Sequence, residues 1–144
     1  MGNPDRPERR LRGSRLLARR RLSRAARFDA LVREAVEGLP PELLNRLDNV
    51  DILVRERPTA AELRSAGVGP GGMLLGLYQG TPLPVRTSGY NLILPDRILL
   101  FRRPLESICR TDEQLITQIR RTVLHELAHH FGIDDDRLHQ IGAY

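Results

Sequence analysis

The chain contains no lysine and no tryptophan, and cysteine occurs once, at Cys109. A single cysteine excludes an intramolecular disulfide, and it lacks the CxxC pairing of a zinc knuckle or redox site. Cys109 is read as a small buried hydrophobe. Three Phe and three Tyr leave the interior to Leu, Ile, Val and Ala, and 144 residues allow one small domain. No apolar run is long enough to cross a bilayer, and arginines interrupt every short apolar stretch near the N-terminus. Neither a membrane contact nor a secretory leader is expected, and the location read from this is cytoplasmic.

The net charge of +5 is unevenly spread. Residues 1–27 hold ten Arg against Asp5 and Glu8, whereas residues 28–144 hold thirteen Arg against sixteen acids. The first 27 residues never sustain an apolar helical face, so they are read as a largely disordered Arg-rich tail, helical at most toward Ala25. A basic arm can neutralise nucleic-acid phosphates. This one offers no interleaved aromatics for bases to stack on, so a solvated tail is the preferred reading and a nucleic-acid partner the less favoured one. Residues 28–144 form the expected folded domain.

Within that domain, Phe28, Leu31, Val32, Ala35, Val36 and Leu39 recur at helical spacing until Pro40-Pro41 stops them. A short helix is expected over Pro41–Leu47, a strand over residues 50–56, and a short helix through Leu63 capped by Thr59-Ala60-Ala61-Glu62. Gly67 to Gly72 reads as a turn, with no Lys to make it a phosphate loop. Strands are expected over residues 73–79 and 97–101, with a short edge strand over Asn91–Leu94. A capping box at Thr111 opens a helix that runs to Phe131, roughly 30 Å at ~1.5 Å per residue, before Gly132 permits a left-handed stop. A terminal helix over Asp136–Ile141 follows. The fold class is α+β: N-terminal helices, then a small mixed sheet packed on one long helix.

The polar residues at the end of that long helix carry the chemistry. His125 and His129 stand four apart, so their side chains diverge by only ~40° and can converge on one ion. Zinc accepts neutral imidazole nitrogen, and Glu126 lies at the edge of the same face, where a carboxylate reaches a water rather than the metal. Gly132 follows His129 by three and Asp135 follows the glycine by three, giving HExxHxxGxxD. The glycine lets the backbone turn back and offers Asp135 as a third donor, with Asp134 and Asp136 as alternatives. His130 points about 100° away from His129, toward the core or the sheet rather than the metal. Gln118 and Thr122 share the ligand face one and two turns earlier. Arg137, His139 and Tyr144 are candidates to orient a substrate, though each is more often a surface or terminal residue.

The stretch HELAHHFGIDDDRL resembles the signature of the Asp-zincins, and the LYQGTPLPVR and RILLFRRPLE segments are similar to the small bacterial mini-zincin group within them. The resemblance covers roughly residues 28–144. It implies a minimal zincin-like fold, zinc held by His125, His129 and Asp135, and Glu126 as general base of a metallopeptidase acting on a peptide or protein. The alternative is a non-catalytic metal-stabilised binding module whose basic tail engages nucleic acid or a protein partner. Only the role of Glu126 separates the two.

Overall fold

The computed structural model describes residues 6–80 and 95–143. Six helices and three strands follow in the order α1 (Arg6–Glu37), α2 (Pro41–Arg46), β1 (Val50–Arg55), α3 (Ala60–Ser65), β2 (Gly76–Gln79), β3 (Asp96–Phe101), α4 (Arg102–Ser107), α5 (Asp112–Phe131) and α6 (Asp135–Gln140). The edge strand expected over residues 91–94 and the residue Tyr144 lie outside the described residues.

The strands form one mixed sheet in the order β1-β3-β2, with β1 parallel and β2 antiparallel to β3. Ile98 and Leu100 of the central strand join the main core, while Leu99 and Phe101, equally buried, alternate onto the opposite face. Such burial on both faces explains why RILLF reads as a continuous apolar run rather than an alternation.

Helix α5 packs on β2 and β3 with one side and on α1 with another. Leu115, Ile119, Val123, Leu124 and Leu127 supply the contact, meeting Phe28, Leu31, Val32 and Ala35 of α1 in the same core. Two polar ties hold the helices side by side. Arg27 donates to both oxygens of Asp112 at 2.6 Å, and Arg120 donates to the Ala35 carbonyl at 3.2 Å. Since both ties join residues 85 apart in sequence, α1 and α5 run parallel in one register.

Capping follows the sequence closely. Thr59 and Glu62 close a reciprocal capping box on α3. On α5, Thr111 accepts from the Gln114 N–H, but the Gln114 side chain accepts from Arg110 N–H rather than from the cap residue. Helix α4 was not foreseen, because Arg102-Arg103-Pro104 reads as a break. Pro104 falls within the first turn, where its missing N–H costs no helical bond. The Glu56 carbonyl accepts from Arg103 N–H at 3.0 Å, and the Glu56 carboxylate accepts from the buried Arg102 at 2.6 Å. That guanidinium holds the Glu56 carboxyl below its ordinary value.

The N-terminal segment departs from expectation in one respect. Its backbone is helical from Arg6, continuous with the core-packing half of α1, where a largely disordered tail was expected. Among the described side chains before Phe28, only Ala25 is even half-buried, and the first core residue among them is Phe28. A chain beginning at Arg27 should therefore keep its fold, changing the unfolding free energy by no more than about 1 kcal/mol, as for loss of exposed side chains generally. Urea unfolding of the full and shortened chains checks this; a loss of several kcal/mol would make the basic helix part of the fold.

Candidate metal centre and active site

His125, Glu126, His129 and His130 all belong to the last two turns of α5, which ends where Gly132 adopts φ 66° and ψ 29°. A side chain at that position would cost about 1 kcal/mol or more in the left-handed region, so the glycine fixes where the helix stops. The chain then turns into α6. Asp134 caps α6 by accepting from Arg137 N–H at 2.8 Å, and Leu138 anchors it in the core. Arg137 donates to the Glu42 carboxylate of α2 at 2.8 Å, an exposed ion pair that ties α6 to α2.

His125 and His129 are exposed on one side of α5, and neither imidazole has a hydrogen bond or ion pair with the described residues. Asp135, the first residue of α6, is likewise exposed and without such a partner. Among the described residues, no three His, Cys, Asp or Glu side chains come together as a group able to hold a metal. The donor chemistry nonetheless fits zinc, with two imidazoles and a carboxylate free of competing partners. Asp134 is spent as a helix cap, which leaves Asp135 and Asp136 as the available carboxylates beyond the glycine.

Glu126 is half-buried, and its Oε2 accepts the backbone N–H of Tyr78 on β2 at 3.0 Å. β2 is a sheet edge, and the Phe101 N–H to Leu75 carbonyl bond shows which of its main-chain groups face outward. In an antiparallel pair, hydrogen-bonded and non-bonded residues alternate. Leu75, Leu77 and Gln79 therefore turn inward to β3, while Gly76 and Tyr78 present their N–H and C=O groups to the outer edge. A groove of about 380 Å³ runs along that edge, lined by Leu75, Gly76, Gln118, Thr122, His125 and Glu126 among others.

The helix and strand approach closely because Gly76 has no side chain. A Cβ there would stand 2.6 Å from Thr122 Cγ2 and 3.1 Å from the Leu99 carbonyl oxygen. A glycine inside a strand is a known sign of close backbone approach, and it was the available signal for this contact. Thr122 and Gln118 line the groove; the Thr122 hydroxyl is turned back onto the Gln118 carbonyl at 2.8 Å.

A model of the zincin-like metallopeptidases matches residues 47–143, about two thirds of the chain. The chain belongs to the zincin-like metallopeptidase family. Its minimal α+β fold agrees with that membership, and α1 and α2 precede the matched region. A search of the curated proteins finds no match to this chain. No helix among the described residues of this zincin-like protein is long and apolar enough to cross a membrane.

His130 is on the sheet side of α5, as the helical periodicity indicates, but at the exposed edge rather than in the core. Its ring stacks on Tyr78 at 3.9 Å between centroids. Neither Tyr78 nor Asp96 was singled out as a site residue: Tyr78 falls within the LYQGTPLPVR segment and Asp96 just before RILLFRRPLE, and only pairing of β2 with β3 brings the two together.

Gly76→Ala is expected to separate β2 from α5 and cost about 1–3 kcal/mol, the range for overpacking a tight contact. Adding Thr122→Ser, which removes the clashing methyl, should restore part of that loss, with the Leu99 carbonyl limiting recovery. A double-mutant cycle by urea unfolding reads the coupling, and strict additivity would contradict the close approach.

Proposed function

We propose that this zincin-like protein is a zinc-dependent peptidase in which His125, His129 and Asp135 hold the metal and Glu126 is the general base. The observation that carries the reading is the half-buried Glu126 carboxylate standing, in sequence, between two imidazoles without a partner among the described residues and, in space, against the outer edge of β2. A purely structural metal site needs no carboxylate in that place. Zinc, when bound, supplies Lewis acidity toward a water and a peptide carbonyl. Glu126 takes a proton from the water as its oxygen bonds to the carbonyl carbon, and passes that proton to the nitrogen as the C–N bond breaks. Gly76 offers outward main-chain groups above the groove, so an extended peptide can add to β2 as a fourth strand.

Glu126→Gln keeps the shape of the side chain but not the base. Zinc content and fold should be retained while cleavage of a peptide found by library screening falls on the order of a hundredfold or more. Unchanged cleavage in that variant would remove Glu126 from the mechanism and, with it, the reading.

The third ligand has its own test. Asp135→Ala should weaken zinc affinity well beyond Asp136→Ala, by at least the order of ten- to a hundredfold that follows loss of a group merely supporting a ligand. Asp134→Ala should act mainly on α6, lowering stability by roughly 1 kcal/mol through the lost cap. Competition with a zinc chelator measures the affinities; an equal loss from Asp135 and Asp136 would refute the assignment.

A further inference from the structure

We propose that Tyr78 is a positioning residue for Glu126, clamped to α5 through its main chain by Glu126 and through its ring by His130, so that the base is held by the strand rather than by its own helix. The inference rests on the peptidase reading of Glu126, and its geometry stands apart from the metal. Glu126 and His130 are four apart on α5, the same spacing as His125 and His129 displaced by one residue. One pair presents two exposed imidazoles, while the other grips a single residue of β2.

Three contacts fix the Tyr78 ring. Its hydroxyl donates to Asp96 Oδ2 at 2.6 Å, its face stacks on His130 with the planes 14° apart, and Phe131 meets both rings edge-on. His130 Nε2 stands 3.7 Å from the same Asp96 oxygen. Tyr78 pairs with Ile98, and Asp96 lies two residues before Ile98 on the same face of β3, so the ring lies along the sheet surface that α5 covers. Pairing with β3 turns the Tyr78 N–H outward, and the ring held from β3 and α5 together keeps that residue against α5. The N–H points off the edge into Glu126.

This divides the main-chain groups of the edge. The Tyr78 N–H is reserved for the base, and Gly76 with the Tyr78 carbonyl remains for an extended peptide. A carboxylate on a flexible side chain loses rate when it wanders, and a hydrogen bond from a fixed strand limits that wandering without touching substrate.

Amide hydrogen exchange at Tyr78, followed by NMR on the full chain without metal, tests the clamp without relying on activity. The wild-type amide should exchange slowly for an outward group on a sheet edge. Glu126→Ala removes its acceptor and should speed exchange, and Tyr78→Phe and Asp96→Ala should do so on the order of fivefold, the factor associated with one net hydrogen bond. His130→Ala should act similarly and His130→Phe, which keeps a stacking ring, should restore slow exchange. Tyr78→Phe and Asp96→Ala remove one hydrogen bond from its two ends, so failure of either to fold leaves the other. Core amides such as Leu99 and Leu124 serve as the control for global destabilisation. On a cleaved peptide, Tyr78→Phe should lower kcat severalfold with KM unchanged. Tyr78 exchange unaltered in the ring variants overturns the clamp even if peptides are cut. Faster Tyr78 exchange in those variants of a protein whose wild type cleaves no peptide supports the clamp and counts against the peptidase reading alone.

Discussion

Everything at the site depends on how α5 is buried. Ile119, Val123, Leu124 and Leu127 are essentially without solvent exposure, held between the sheet and α1, and a Leu→Ala change at such positions typically costs about 2–5 kcal/mol. With two sides of the helix committed to the core, its remaining face has a set direction. His125 and His129 stand on that face, exposed and without partners among the described residues, while Glu126 leans to the strand. The polar ties Arg27–Asp112 and Arg120–Ala35 keep α1 from sliding along α5, so the helix that bears the motif is braced along its length. A small protein with few aromatics obtains a rigid platform by burying one helix thoroughly rather than by enlarging its core.

The strand beside that platform is positioned by an absence. Without a Cβ at Gly76, β2 can approach Thr122 and bring the Tyr78 N–H within hydrogen-bond distance of Glu126. Main-chain groups at a sheet edge must find partners somewhere. Here one of them finds a side chain of the motif, which couples the orientation of a carboxylate to the docking of a strand. The Tyr78 phenol is pushed to a higher pKa by burial and by its bond to Asp96, which keeps it a hydrogen-bond donor.

Local order was readable from the sequence wherever a short-range rule decides it. The stop at Gly132, the caps at Thr59 and Thr111, and the three strands agree in the structure with periodicity and capping chemistry to within a few residues. Helix α4 was missed because Pro104 is a helix breaker in the interior and harmless in the first turn, and the Glu56 carbonyl and carboxylate, just past the end of β1, tie that first turn down. The basic segment was read as largely disordered because its leucines form no sustained apolar face, yet helical backbone extends through it from the half of α1 that packs.

The sequence by itself determined the zincin-like membership and the pairing of His125 with His129, since four residues on a helix subtend nearly one direction whatever surrounds them. It also carried the glycine stop that lets the chain turn toward Asp134, Asp135 and Asp136. Tertiary structure alone decided what Glu126 touches, which edge strand runs beside the motif, and that Tyr78, Asp96 and His130 meet. Those contacts join residues 18 to 52 apart, through strand pairing and a helix laid across the sheet, and no local spacing rule reaches over such separations.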